Sequence, residues 1–395
     1  MGSRSICSGV ISGQRGEIAP RGYVVLSERH CLGSLSSNGK KNRRIAPLIV
    51  MATYQGSRYI REQIESIQAQ TYGDWRLLIR DDGSEDGTRE LIRSAARSDL
   101  RINLIDDSRG RVGVKRNFSL LLERALVEGA EWIALCDQDD HWHPQKLERQ
   151  LEIVAEFDLE PDLPVLLHAD AAVVDARLGP LYPSLHRLMG LRHEATTPLA
   201  TLLVQNFVTG CSCLVNRSLL QIALPVPEEC VMYDWWLALC VSATGKLLFQ
   251  PDSMLLYRQH AHNEVGAQSR RLMLRDLFMR TMSWSRHDPD EFMDTLRQAV
   301  ALQRRLIDRS SDASADDFLR RRLDASISFV SRYLDLYRPG QSRFMRVLAM
   351  HRGRIRRQDP ILDAALKLKM LTSSIRLQPG SLARSSTETP CDFLE

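Results

Sequence analysis

The 395-residue chain contains no apolar run near the ~18 residues that a membrane-spanning helix requires. Its first residues lack the apolar core of a secretory signal. Eight cysteines are present, at 7, 31, 136, 211, 213, 230, 240 and 391. None forms a CxxC pair, which speaks against a cysteine-built zinc site. Most lie in apolar context, as free buried thiols do, so they are expected to be reduced, pointing to the cytoplasm. No GxxxxGK[ST] occurs, so a P-loop is excluded. No GxGxxG follows the first strand-like run, which removes the dinucleotide oxidoreductases. The histidine pairs His141/His143 and His260/His262 are two apart, unlike a helical i, i+4 zinc pair. With 53 Lys and Arg against 49 Asp and Glu, the chain carries no general nucleic-acid footprint.

What is present falls into four stretches. Residues 1–45 are rich in Gly, Ser and Arg, end in Lys40-Lys41-Asn42-Arg43-Arg44 and read as a flexible basic leader. Residues 46–266 read as the folded domain. Residues 267–380 are charged, Arg-rich and helical in period. Residues 381–395 read as a disordered tail. Within the domain, Pro47–Ala52, Leu77–Ile79, Ile102–Ile105 and Trp132–Cys136 are short apolar runs, typical of strands buried on both faces. Between them Ile60, Ile64 and Ile67, then residues 90–96, then Val114, Phe118, Leu121, Leu122 and Ala125 follow helical spacing. This alternation predicts an α/β domain with a mainly parallel sheet flanked by helices. Val165–His168, Val204–Val215 and Leu247–Tyr257 are expected as further strands, and Met232–Leu239 as helix.

In such sheets ligands bind beyond the carboxyl ends of the strands. Those ends carry Thr53-Tyr54-Gln55-Gly56, Asp81-Asp82-Gly83-Ser84, Asp106-Asp107-Ser108 and Asp137-Gln138-Asp139-Asp140, and later Asp170. A diphosphate leaving group needs a counter-charge as it departs. A hard cation such as Mg²⁺ or Mn²⁺ supplies it through shared carboxylate and phosphate oxygens. Asp137 and Asp139, one residue apart on an extended strand end, point to one side, and so many adjacent acids repel one another without a cation. Asp140 is expected to cap the helix beginning near Pro144.

Taken together, Ala52-Thr53-Tyr54-Gln55-Gly56, Asp81-Asp82-Gly83-Ser84-x-Asp86-Gly87-Thr88 and Asp137-Gln138-Asp139-Asp140-x-Trp142-x-Pro144-x-Lys146 resemble glycosyltransferase family 2, with the GT-A fold. Thr209-Gly210-Cys211, Asp234-Trp235-Trp236 and Tyr257-Arg258-Gln259-His260-x-x-Asn263 look like its acceptor half. The Asp-Gln-Asp-Asp form is similar to the rhamnosyltransferase-like branch. The resemblance implies an inverting enzyme that moves one sugar, with dTDP-L-rhamnose the favoured donor, to a glycan or lipid-linked acceptor in surface polysaccharide synthesis. By position it gives donor contacts to Thr53, Tyr54, Asp81, Asp82, Asn117, Asp137 and Asp170. Metal contacts fall to Asp137, Asp139 and His260, and the base is Asp234, whose carboxylate would take the proton of an attacking hydroxyl.

Processive synthases of the family bring transmembrane helices and a QxxRW sequence, which this chain lacks. Nucleotidyl transfer is the rival enzyme class, but the loop after the first strand lacks the basic residue that chemistry expects. A non-catalytic surface adaptor is the third reading. Residues 343–357 set Phe344, Val347, Leu348 and Ile355 among seven basic side chains, counting His351, a pattern suited to peripheral contact with anionic lipid.

Overall fold

The computed structural model describes residues 46–157, 160, 162–260, 290–311, 317–338 and 340–372. The predicted leader and tail, with His262 and Asn263, lie outside the described residues. The α/β half runs β1 (Leu48–Thr53), α1 (Ile60–Gln68), β2 (Arg76–Asp81), α2 (Thr88–Ser98), β3 (Ile102–Leu104), α3 (Val114–Val127) and β4 (Trp132–Cys136). Then come β5 (His141–Trp142), α4 (Lys146–Glu156), β6 (Val165–Ala169), β7 (Ala172–Val174), β8 (Pro180–Tyr182), α5 (Leu185–Met189) and α6 (Pro198–Leu202). A 3₁₀ turn at Gly210–Ser212 precedes β9 (Leu214–Asn216), α7 (Arg217–Ala223), α8 (Tyr233–Thr244), β10 (Lys246–Gln250) and β11 (Leu255–Arg258). Four helices follow: α9 (Asp290–Ser310), α10 (Asp317–Asp335), α11 (Arg343–Arg352) and α12 (Pro360–Thr372).

The main sheet has the order β10-β6-β9-β4-β1-β2-β3. Every neighbouring pair is parallel except those made by β9, which runs against both β4 and β6. Successive side chains of a strand point to opposite faces. Leu48 and Val50 of β1 therefore enter a core with α3, α7 and α8, while Ile49 and Met51 enter a second core with α1 and α4. That double burial is why the strand reads as an unbroken apolar run. A second sheet, β5-β11-β7-β8, sits at the carboxyl edge of the first.

The described C-terminal helices are built onto this frame. Phe292, Leu296, Leu302, Leu323 and Val330 belong to the same core as β1 and α8. Arg305 donates to the carbonyls of Ile222, Leu224 and Pro225, Arg322 to Gly245, and Ser326 to Ala243. These bonds supply partners to carbonyls at the ends of α7 and α8, which no helix can satisfy internally.

Two expectations need correction. Of Val204–Val215, only Leu214 and Val215 are strand; Val204, Phe207 and Val208 are buried in a loop that packs against the core rather than pairing. Leu247–Tyr257 is two strands in different sheets, broken after Gln250 by Pro251, which cannot donate to a ladder.

Candidate functional site

Two polar clusters lie side by side along the carboxyl edge. The first belongs to β1, β2 and the start of α3. Thr53 donates to Asp81 (2.9 Å), which also accepts from the Ser84 amide and hydroxyl. Arg80, 1% exposed, donates to Asp82 (2.9 Å), Asp107 (2.8 Å) and Asn117 (3.1 Å). Asp82 takes two further bonds from the amides of Val112 and Gly113. Burial works against the charge of Arg80, but the bonds from Asp107 and Asp82 raise its pKa above the ordinary value. Asn117 spends both ends of its amide on Arg80, so it faces the pocket only through Arg80 and Asp82. Every charge in this cluster has a counter-charge or several donors.

The second cluster follows β4. Gln138 brackets Tyr54, accepting from its amide and donating to its carbonyl, both at 2.9 Å. The approach is close enough that a Cβ on Gly56 would meet Gln138 Oε1 at 2.3 Å. Arg111 lies over the Tyr54 ring at 4.2 Å. Asp139 pairs with His260 Nε2 (2.9 Å), whose ring stacks on Tyr59. Asp140, 1% exposed, does not cap a helix: α4 begins at Lys146 with Gln145 at its cap, and β5 intervenes. Its Oδ1 instead accepts from the Arg258 amide (3.1 Å), and its Oδ2 is buried with no partner among the described residues. Ligand atoms of Asp137, Asp140 and Cys211 lie within 4.8 Å of one another.

The electrostatics of this second cluster are one-sided. Withdrawal from water, then the charges of Asp139 and Asp234, push Asp137 up to about 7. Burial, then the charges of Asp139 and Asp137, push Asp140 well above the carboxylate range. Burial also raises Asp139, against the bond from His260. A buried carboxylate oxygen without a partner among the described residues, beside acids that repel one another, could hold a divalent cation. The donor set is mixed, with hard oxygens beside the Cys211 thiol, which burial holds protonated.

Asp234 stands across this cluster, in the first turn of α8. It accepts from the amides of Trp235 (2.6 Å) and Gly210 (3.0 Å) and from Asn206 (3.3 Å). Burial raises it to about 6, against those bonds. The α8 cap position is Met232, so Asp234 is not the cap. Gly210 is required here, since a Cβ would meet Tyr233 Oη at 2.5 Å. Trp236 is buried in the core, its indole donating to Ala223. Asp170 follows β6, two strands from β4 in the sheet with β9 between them. Its carboxylate accepts from Ser184 and the amides of Ala171 and His186, which ties β6 to the start of α5.

Sequence reading missed the two arginines that hold the clusters. Arg258, 1% exposed, donates to the carbonyls of Asp139 (2.7 Å) and Ala176 and to Glu62 (2.6 Å). It sits at the end of β11, which pairs with β5 next to the acidic loop. Its sequence signal was its place beside His260; Arg80 gave none, being one arginine within a strand.

Residues 48–220 match the family model described as glycosyl transferase family 2. An uncharacterised protein of Mycobacterium tuberculosis is 29% identical over 217 residues, 54% of this chain and 59% of that protein. The chain thus spans little more than half the length of such relatives. The dTDP-rhamnosyl transferase RfbG of Shigella flexneri is 24% identical over 226 residues, 55% of this chain and 74% of that one. Among solved structures, S. aureus TarS 1–349 in complex with UDP-GlcNAc is 14% identical, with a TM-score of 0.46, over 83% of this chain and 82% of that one. The family match covers the strand ends of β1, β2 and β4 that carry both polar clusters, and the sheet has the mixed α/β order the motifs call for: residues 48–220 of this chain are similar to glycosyl transferase family 2.

Proposed function

We propose that the chain is an inverting, metal-dependent glycosyltransferase that moves one sugar from a nucleotide-sugar to a glycan or lipid-linked acceptor in polysaccharide synthesis. The observation that carries this reading is the juxtaposition of Asp137 and Asp234. Their charges interact, yet they reach the pocket from β4 and α8, as a donor-side acid and an acceptor-side base must. On this reading Thr53, Tyr54, Asp81 and Asp82 shape the nucleotide end. Asn117 acts as a positioning residue through Arg80, and Asp170 closes the far side. Asp137 and Asp139 hold Mg²⁺ or Mn²⁺, with Asp140, Cys211 and His260 around them. The ion, when bound, neutralises charge on the departing diphosphate. Asp234 accepts the proton of the acceptor hydroxyl, and its raised pKa suits a base working near neutrality. The name of the Shigella relative favours dTDP-L-rhamnose as the first donor to try. Among the described residues no helix is long and apolar enough to cross a membrane, which fits the proposed cytoplasmic placement.

The test is Asp234→Asn assayed with Mn²⁺ against a panel of dTDP-, UDP- and GDP-sugars. Donor binding should persist while transfer is lost. Transfer at the wild-type rate removes Asp234 as base, and failure of every nucleotide-sugar to bind removes the transferase reading.

A further inference from the structure

Among the described residues, the helices α11 and α12 leave an apolar surface uncovered. Of the eleven large hydrophobic residues that are exposed among the described residues, five lie on these two helices: Phe344 (67%), Met345 (48%), Ile361 (53%), Leu368 (59%) and Leu371 (38%). On α12 the exposed positions Ile361, Ala364, Leu368 and Leu371 are spaced i, i+3, i+7, i+10 and form one stripe. The opposite face, through Leu366 and Met370, is buried in the core. A helix apolar on both faces normally has a partner on both. Lys367 and Lys369 flank the exposed stripe on its two sides; Lys367 pairs with Asp363 one turn back, and long side chains of this kind can lay their stems along apolar material.

The same surface is strongly basic. Residues 343–372 hold eight Lys and Arg against two Asp. A cleft of about 450 Å³ opens beside the stripe, lined by Met350, His351, Arg354, Arg356 and Lys367. No carboxylate lines it, and neither Arg354 nor Arg356 has an acidic partner among the described residues. A second copy of this chain would bring like charge against like charge. An anionic bilayer satisfies both features, taking the stripe into its acyl boundary and its headgroup phosphates into the cleft.

We propose that α11 and α12 form a docking face for a membrane rich in anionic phospholipid. Gln358, in the link between the two helices, gives the docking a geometry. It accepts from the Arg192 amide (2.8 Å), donates to the Arg192 carbonyl (2.6 Å), and its own amide donates to Gln205. Gln205 precedes Asn206, which donates to Asp234. The docked face is therefore fastened to the loop beside the proposed base, so the membrane would present an acceptor carried on a lipid. That last clause alone rests on the transferase reading; the docking itself does not.

The experiment is co-sedimentation of the full chain with vesicles of phosphatidylcholine, with and without phosphatidylglycerol, across a salt series. Binding is expected only with the anionic lipid and should weaken with salt. A basic residue near such a surface is worth about fivefold in partitioning, so R354E/R356E should lose roughly 25-fold or more. I361E/L368E, on the solvent side of a folded helix, should lose about tenfold or more, with the thermal midpoint within a few degrees of wild type. Absence of binding, equal binding to neutral vesicles, or a self-associated species that I361E/L368E dissolves would each overturn the proposal. A failed transfer assay with intact vesicle binding would count against the transferase reading and leave the docking face standing.

Discussion

The two polar clusters at the sheet edge are built from the same kinds of residue and obey opposite rules. Around β2 the buried acids are matched: Asp82 and Asp107 meet Arg80, and Asp81 meets Thr53 and Ser84. Around β4 the match is partial: Asp139 pairs with His260, but Asp137, Asp139 and Asp140 press on one another, and the Arg258 guanidinium donates to the carbonyls of Asp139 and Ala176 and to Glu62. A matched cluster holds shape. An unmatched one stores repulsion that a proton or a ligand of opposite charge relieves. On the proposed reading, the matched cluster is a preformed nucleotide end, and the unmatched one is a diphosphate end completed by what binds.

The largest effect that tests this contrast concerns turnover. Asp139→Ala is expected to lower transfer by roughly a thousandfold or more, since it removes charge stabilisation at the leaving group. Circular dichroism should show an unchanged fold. Full activity in this variant would mean that the β4 cluster does not serve the reaction.

Stability should separate the clusters next, with opposite signs. Arg80→Met strands Asp82 and Asp107, and breaking a buried pair from one side costs about 3–5 kcal/mol. Asp140→Asn keeps an acceptor for the Arg258 amide and removes a buried acid that its neighbours oppose, so its cost should lie near zero, or the variant should gain about 1 kcal/mol. Urea unfolding without added metal decides the matter. If both variants fall by similar amounts, the contrast between matched and unmatched clusters is wrong.

Metal should then reverse the second sign. At a hundredfold excess over its dissociation constant, a cation that binds only the folded state adds about 2.7 kcal/mol. Mn²⁺ with a nucleotide-sugar should raise the thermal midpoint of wild type and leave Asp139→Ala where it was. An equal rise in both would place the ion elsewhere.

The matched cluster was the more legible in outline and the less legible in wiring. Thr53, Asp81, Asp82 and Asp137 stand directly after apolar strands, so their placement at one edge follows from strand order alone. Arg80 could not be read, because its partners lie 27 and 37 residues away and arise from where α3 begins. Arg258 meets the acidic loop across 118 residues and a second sheet that the sequence did not announce. Asp140 was misread for the same reason: a carboxylate before a proline resembles a cap, and only β5 shows that it turns inward. The loop at 204–209 looked like a strand because burial, not pairing, selects its apolar residues.

The smallest effect is a shift in the pH profile. Asp234 must be ionised to accept a proton, so with a pKa of about 6 its kcat/KM should fall tenfold per unit below that value. Asn206 donates to the Asp234 carboxylate and favours its charged form. Asn206→Ala should therefore move the acid limb upward, by about one unit or less. Three other groups titrate nearby and must be kept apart from this reading. Burial, and then His186, lowers His193 to about 4, and burial, then His193 and His186, lowers His168 well below the usual imidazole range. Both bind protons more readily when unfolded, so their contribution to stability is present above about 6.5 and is lost as pH falls toward 4. Asp137, raised to about 7, has the opposite sign: it favours the folded state in acid and loses that contribution as pH rises from about 3.8 to 7. Asn206→Ala leaves the two histidines untouched, whereas Asp137 feels the charge of Asp234 and is followed through its effect on stability. Measured at saturating Mn²⁺ with the thermal midpoint followed at each pH, a displaced limb with unchanged stability assigns the titration to Asp234; an unmoved limb assigns it to another group.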